Sequence, residues 1–301
     1  MDEETIDINL AKEVGALSYR ALMMAKSMVK PGARLLDVAD AVEKFTRDEG
    51  YECAFPLNLS VNHEAAHYTP AVQDEKVFSE TDVVKVDFGA AKNGVLGDCA
   101  VTVDLSGEKP DLAEAVAEAL NNAVSTIKDG VMVSEIGRVI GDTITARGFK
   151  PIANLGGHLV AKHDLHSHIF VPNYDNHDET VLEEGMTVAI EPFATDGKKN
   201  IVLESDVCEI YNFSAPASVR SMDSRSVLEM IMKKYASEPF AVRWLTAAAS
   251  SKFGLYAAIR ELLRGDVIFA YPMLVGQPGS TITQAEVEVL VEKDSCTVLT
   301  K

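Results

Sequence analysis

Residues 84–103 read VKVDFGAAKNGVLGDCAVTV, and this stretch decides how the chain folds. Val84, Val86 and Phe88 alternate with Lys85, Asp87 and Gly89, the period-two pattern of a strand with two different faces. Asn93-Gly94 is the strongest short signal for a two-residue hairpin loop, and Leu96–Leu105 is the returning strand. Folding back about Asn93-Gly94 sets Asp87 opposite Ala100 and Asp98 opposite Gly89. Asp87 and Asp98 then project from one face as diagonal neighbours. Two carboxylates that close repel unless something cationic lies between them. In strands this apolar, a shared metal ion accounts for the pair better than a solvated face does.

Working outward, helical periodicity covers Ile6–Val29, ending at Pro31-Gly32, and Leu35–Glu49, ending at Gly50. Cys53–Val61 reads as extended chain bent at Pro56. Helices are expected over Pro110–Ile127 and Ser134–Ala146, and strands over Ile152–Leu155, Leu165–Phe170, Thr187–Phe193, Val207–Tyr211 and Thr283–Val291. Between the last two strands the texture turns helical, with patterns over Ser226–Tyr235, Phe240–Ala249 and Leu255–Arg264. The layout is an α+β domain interrupted by a small helical insertion.

Composition narrows the function. The 301 residues carry 28 Lys+Arg against 46 Asp+Glu, a net charge of −18, and 47% are hydrophobic. A chain this apolar is not disordered, and one this acidic suits neither nucleic acid nor an anionic membrane. No apolar run is long enough to span a bilayer, and MDEETIDINL does not read as a signal peptide, so a cytoplasmic location is expected. Cys53, Cys99, Cys208 and Cys296 lie too far apart for a zinc knuckle or a disulfide framework.

One motif misleads. His63-Glu64-Ala65-Ala66-His67 matches H-E-x-x-H, the helical zinc motif of metalloproteases. The chemistry needs both histidines one helical turn apart, and the flanking β-like run and Pro70 resist a helix. Three further signals are bland singly: His158 in a Gly156-Gly157 loop, Glu191 ending an apolar strand, and Glu286, which shares a strand face with Glu288. Joined to Asp87 and Asp98 they change meaning. Four carboxylates and one imidazole, mostly on strands, are the inventory of a two-metal hydrolytic site.

With those residues in hand, the sequence resembles the type II methionine aminopeptidases, archaeal rather than eukaryotic in character. The resemblance is carried by FPLNLSVNHEAAHYTP (55–70), VKVDFGA (84–90), GDCAVTV (97–103), NLGGHLV (154–160), EEGMTVAIEPF (183–193), FAVRWL (240–245) and YPMLVGQPGSTITQAEVEVLV (271–291). It implies the pita-bread fold, with residues 1–211 and 271–301 forming the catalytic domain and 212–270 the helical insertion subdomain. It implies metal ligands at Asp87, Asp98, His158, Glu191 and Glu286 for two divalent ions (Co, Mn, Fe or Zn), with Asp98 and Glu286 bridging and Glu191 sharing an ion with His158. His67 and His166 are then substrate contacts that donate hydrogen bonds, Glu191 shuttles a proton, and Phe55, Tyr68 and Tyr271 line the methionine pocket.

The implied activity is removal of the N-terminal methionine from nascent polypeptides, preferring small penultimate residues, through attack of water on the first peptide bond. The ribosome is the implied macromolecular partner and the monomer the implied state. Two departures stand out. Gln284-Ala285-Glu286-Val287 replaces the usual Gln-Phe-Glu-His, and Ile210 stands where eukaryotic members carry a histidine. Proline-specific peptidases of the same fold are the alternative enzyme, although few residues precede Phe55 for their large N-terminal domain. A non-catalytic pita-bread binding protein is the other alternative, and it would be expected to have lost ligands.

Overall fold

The computed structural model describes residues 7–236 and 238–301, so Ile6, the expected start of the first helix, lies outside them. Helix α1 (Ile8–Met28) is capped by the Asp7 carboxylate, which accepts from the backbone of Asn9 and Leu10. Helix α2 (Leu35–Asp48) follows. The decisive hairpin forms in the expected register: Asp87 faces Ala100, and Lys92 faces Val95. Asn93 (φ 53°) and Gly94 (φ 81°) both take the left-handed backbone that a two-residue loop of this kind needs.

The long strands of this hairpin, Val83–Phe88 and Cys99–Asp104, sit inside a large antiparallel sheet. Its order runs Phe170–Pro172, Gly156–Val160, Thr187–Ile190, Glu286–Val291, Cys99–Asp104, Val83–Phe88, Asn58–Val61. Alternation sorts its two faces. Val84, Val86 and Cys99 pack against α1 and α2, while Val188, Val289 and Val291 pack against helices α3 (Pro110–Val124) and α4 (Val133–Ala146). Register places all of these on one face: Val86 faces Val101, Cys99 faces Val287, and Val188 faces both Val289 and Leu159. The opposite face therefore collects Asp87, Ala100, Glu286, Glu288, Ala189 and His158, which are paired in the same ladders. One covered apolar face forces the polar set together on the other.

Several expectations change. His158 lies in the strand Gly156–Val160, not in a loop. Its glycines are there for close approach: a Cβ on Gly156 would meet the Val171 carbonyl oxygen at 2.2 Å, and one on Gly157 that of Ala189 at 2.0 Å. Ile152–Leu155 is not a strand, and pairing there is confined to Lys150–Pro151. Leu165–Phe170 becomes strand only at Phe170. Thr187–Phe193 is broken at Glu191-Pro192, and Thr283–Val291 at Ala285, because each chain leaves the large sheet there for a small one. The segment 212–270 is mixed rather than purely helical. Ile210–Phe213, Phe240–Ala241 and Ile268–Tyr271 pair into a sheet. On it lie α5 (Met222–Lys234), a short 3-10 helix (Val242–Ala248) and α6 (Lys252–Arg264). Val227, Ile231, Leu245, Leu255 and Ile259 form their core. Phe240 and Ala241 are taken up by pairing, which leaves the tighter 3-10 form for the rest of the expected Phe240–Ala249 helix.

Candidate metal centre

The polar face of the sheet brings Asp87, Asp98, His158, Glu191 and Glu286 together. Asp98, His158 and Glu286 offer ligand atoms within 4.8 Å of one another, and so do Asp87, Glu191 and Glu286. Glu286 belongs to both groups, which is the position of a bridge. His158 Nε2 lies 3.5 Å from Asp98 Oδ2. Glu191 falls beside Asp87 in this arrangement. Gln284 joins the two, since its side-chain amide donates to Glu191 Oε1 at 2.7 Å and to Asp87 Oδ2 at 3.1 Å. Glu191 reaches the centre because Pro192 ends its strand, and Gln284 because the chain changes sheets at Ala285.

Four carboxylates this close, Asp98 and Glu286 buried and Asp87 and Glu191 partly so, cannot all carry charge without compensation. Burial raises Asp87 to about 7. Burial, then the charge of Asp87, raises Asp98 well above the ordinary carboxylate range. Glu191 is raised by burial and by both aspartates. Glu286 is raised by burial, Asp98, Glu191 and Asp87. Burial lowers His158 to about 4, so its imidazole is neutral and free to ligate. Both oxygens of Glu286 and Oδ1 of Asp87 are buried without a hydrogen-bond partner. Orphaned carboxylate oxygens beside one neutral imidazole fit hard or borderline divalent cations, and no thiolate enters the set.

A stability prediction follows from these directions. Each acid holds its proton more tightly folded than unfolded. Their contribution to the stability of the metal-free protein therefore falls as pH rises from about 4, the ordinary carboxylate value, through Asp87's value of about 7. The lowered histidines His67, His158 and His166 act in the opposite sense, but only up to the ordinary imidazole value of about 6.5, so in chelator the thermal midpoint is expected to fall between about pH 6.5 and pH 8, and a divalent ion to offset that fall. A midpoint that climbs with pH in chelator would contradict this electrostatic picture.

Beside the ligands opens a cavity of about 340 Å³. Phe55, His67, His166 and Tyr271 line it, as expected, and Asn58, Phe170 and Ile210 join them. Asn58 escaped the sequence reading, although its place opposite Asp87 follows from strand pairing. Tyr68 does not line the cavity. Its hydroxyl donates to Asp74 at 2.9 Å, and the Lys76 ammonium sits 3.9 Å over its ring, so it is held on the far side of the backbone. The H-E-x-x-H run contains the strand Glu64–Ala66, not a helix. Glu64 is spent on Lys76, 2.9 Å away, and His63 is absent from the cavity wall.

His67 sits at φ 64°, with Nδ1 3.2 Å from the Pro272 carbonyl oxygen. Burial lowers it to about 4, so the ring is neutral. A carbonyl can only accept, so Nδ1 carries the proton and Nε2 presents a lone pair. This reverses the expected donor role of His67. The His166 ring centroid stands 4.4 Å from that of His158 and 6.0 Å from that of Tyr271, and partial desolvation at the open side of the cavity, with His158 and His67 beside it, lowers its proton affinity.

Comparison with known proteins agrees with this geometry. Residues 9–211 match the model of metallopeptidase family M24. The methionine aminopeptidase of Archaeoglobus fulgidus is 42% identical over 289 residues, spanning 96% of this chain and 97% of the relative. That of Pyrococcus horikoshii is 39% identical over 98% of this chain and the whole of the relative. Among solved structures, the methionine aminopeptidase of Thermotoga maritima superposes with a TM-score of 0.68 at 25% identity, covering 96% of this chain and 94% of that one.

Proposed function

The chain belongs to metallopeptidase family M24, and we propose that it is a metal-dependent aminopeptidase that removes N-terminal methionine from nascent polypeptides in the cytoplasm. The observation that carries this reading is a set of five clustered donors, of which Asp87, Asp98, His158 and Glu191 form one wall of a mostly apolar cavity and Glu286 lies buried among them. Asp98, His158 and Glu286 would hold one divalent ion and Asp87, Glu191 and Glu286 a second. Such ions would polarise the scissile carbonyl and lower the pKa of water towards neutrality.

The chain's own residues supply the rest. Glu191, whose proton affinity is raised by burial and then by the charges of Asp87 and Asp98, takes a proton from the attacking water and returns it to the leaving amine. His67 Nε2 accepts from the N–H of the scissile bond, and His166 donates to its carbonyl oxygen. Phe55, Phe170 and Tyr271 enclose the methionine side chain, whose burial supplies about 2 kcal/mol. The proposed activity includes a preference for small penultimate residues, which the likeness to methionine aminopeptidases supports. The monomer is the proposed state, and the ribosome, where such substrates emerge, the proposed partner.

The test is a competition between Met-Ala-Ser and an Xaa-Pro dipeptide with the metal-loaded protein. Methionine release from the first, and weaker release when the second residue is leucine, is the expected result. Preferential cleavage of Xaa-Pro would move the activity to the proline-specific branch of the fold. Hydrolysis of neither would favour a binding protein.

A further inference from the structure

Glu43 and Arg243 meet in the protein interior, 1% and 8% exposed. Glu43 comes from α2 and Arg243 from the 3-10 helix of the insertion. Nη2 of Arg243 donates to Oε1 of Glu43. That oxygen also accepts the Leu57 backbone N–H at 3.2 Å, and Oε2 accepts the Trp244 indole N–H at 2.6 Å. Nη1 of Arg243 donates to Thr69 Oγ1 at 2.7 Å and to the Pro70 carbonyl at 3.1 Å. The Thr69 hydroxyl in turn donates to the Leu57 carbonyl at 2.8 Å. Four stretches distant in sequence are fastened at one point.

A buried ion pair is a poor source of stability compared with apolar packing. What it adds is fixed geometry, since a guanidinium fork bonds only along set directions. The stretches fixed here are chosen by position. Leu57 lies between Phe55 and Asn58 on the cavity wall, and Thr69-Pro70 begins two residues after His67. His67 needs such support, because its left-handed backbone is strained for a residue with a Cβ. Its ring is held by Pro272 at Nδ1 and by Tyr271 edge-on, 5.6 Å between centroids. The 240–272 stretch thus grips His67 twice, at the ring through Tyr271-Pro272 and at the following backbone through Arg243.

We propose that Glu43 and Arg243 are a positioning pair that sets the His67 ring against the substrate, so that the insertion takes part in catalysis without supplying a ligand. This rests on the reading of His67 as a substrate contact. Three variants of the full, metal-loaded chain test it. Arg243→Lys keeps the charge facing Glu43 but loses the fork, and Thr69→Val removes the hydroxyl bridge with little change of shape. Trp244→Phe removes the indole bond to Glu43 and part of the ring that meets Arg47 and Tyr235, but leaves the Arg243 fork and its bonds to Thr69 and Pro70 in place.

The first two are expected to lower kcat for Met-Ala-Ser about 10–100-fold, the scale of a misplaced catalytic contact, with KM and calorimetric metal affinity little changed. Trp244→Phe should stay near the parent. The deciding measurement is the double variant Arg243→Lys/His67→Ala, which should lose no more than His67→Ala alone. Additive losses, or an unchanged kcat in both Arg243→Lys and Thr69→Val, would overturn the proposal. The imidazole resonances of His67 give an independent readout. They should shift in Arg243→Lys even if Met-Ala-Ser is not a substrate, which separates failure of this proposal from failure of the aminopeptidase reading.

Discussion

Asp98→Ala is expected to abolish turnover, to lower bound metal sharply, and to make the metal-free protein more stable. The three outcomes share one cause. Asp98 is buried, faces His158 across 3.5 Å, and shares its group with the bridging Glu286. Losing a ligand of that kind leaves its neighbours unable to hold a cation, and the loss in activity should exceed about 10³-fold, beyond the 10–100-fold typical of a residue that merely supports a ligand. The same carboxylate raises the proton affinity of Glu191 and Glu286, so its removal relieves repulsion in chelator. Thermal midpoints in chelator at about pH 8, well above ordinary carboxylate values, should therefore rank the variant above the parent, and added divalent ion should invert the order. Metal content by elemental analysis and release of methionine from Met-Ala-Ser complete the measurement. Full activity with parental metal content would remove Asp98 from the centre. A metal-free variant less stable than the parent would show that its carboxylate is compensated by a contact other than a metal ion.

The legibility of this centre differs from residue to residue. Asp87 and Asp98 could be placed on one face from sequence because Asn93-Gly94 fixes a hairpin register locally, and a local signal needs no knowledge of the rest of the fold. His158 was recognisable as a ligand only by resemblance, and its strand was hidden. Glycines beside it suggest a flexible loop, whereas they are needed for close packing against Val171 and Ala189. Glu191 and Glu286 read as members of continuous strands, yet the breaks at Pro192 and Ala285 are what aim Glu191 and Gln284 inward. Tyr68 stays off the cavity wall because its direction depends on Asp74 and Lys76, which no periodicity reveals.

The bond between Glu43 and Arg243 joins residues 200 apart in sequence, beyond the reach of any pattern in either helix. That bond also changes what removal of the insertion would do. Excising 212–270 takes away Arg243 and Trp244 together and leaves the buried Glu43 only Arg47, 3.8 Å away, and the Leu57 N–H, a destabilising loss that confuses positioning with folding. Point variants at Arg243 are the cleaner probe.

His67→Ala should cost about 10²–10³-fold in kcat, the scale of a lost hydrogen bond to the reacting group, while His63→Ala stays within a few-fold of the parent. The two histidines are four residues apart in H-E-x-x-H, and a helical zinc site would demand equal damage from both. The structure separates them. Glu64–Ala66 is a strand, and only His67 lies on the cavity wall. Neither belongs to a metal-ligand group, so metal affinity should be unchanged in both variants. His67→Asn and His67→Gln sharpen the argument. Nε2 of the neutral ring is an acceptor, because Nδ1 is committed to the Pro272 carbonyl. An amide oxygen that reaches the same place should restore part of kcat, and a side chain that can only donate, such as lysine, should restore none. Equal loss of metal from His63→Ala and His67→Ala would return the motif to a zinc-binding role. Rescue by lysine alone would show that His67 works as a donor after all, and that the Pro272 contact does not set its tautomer during turnover.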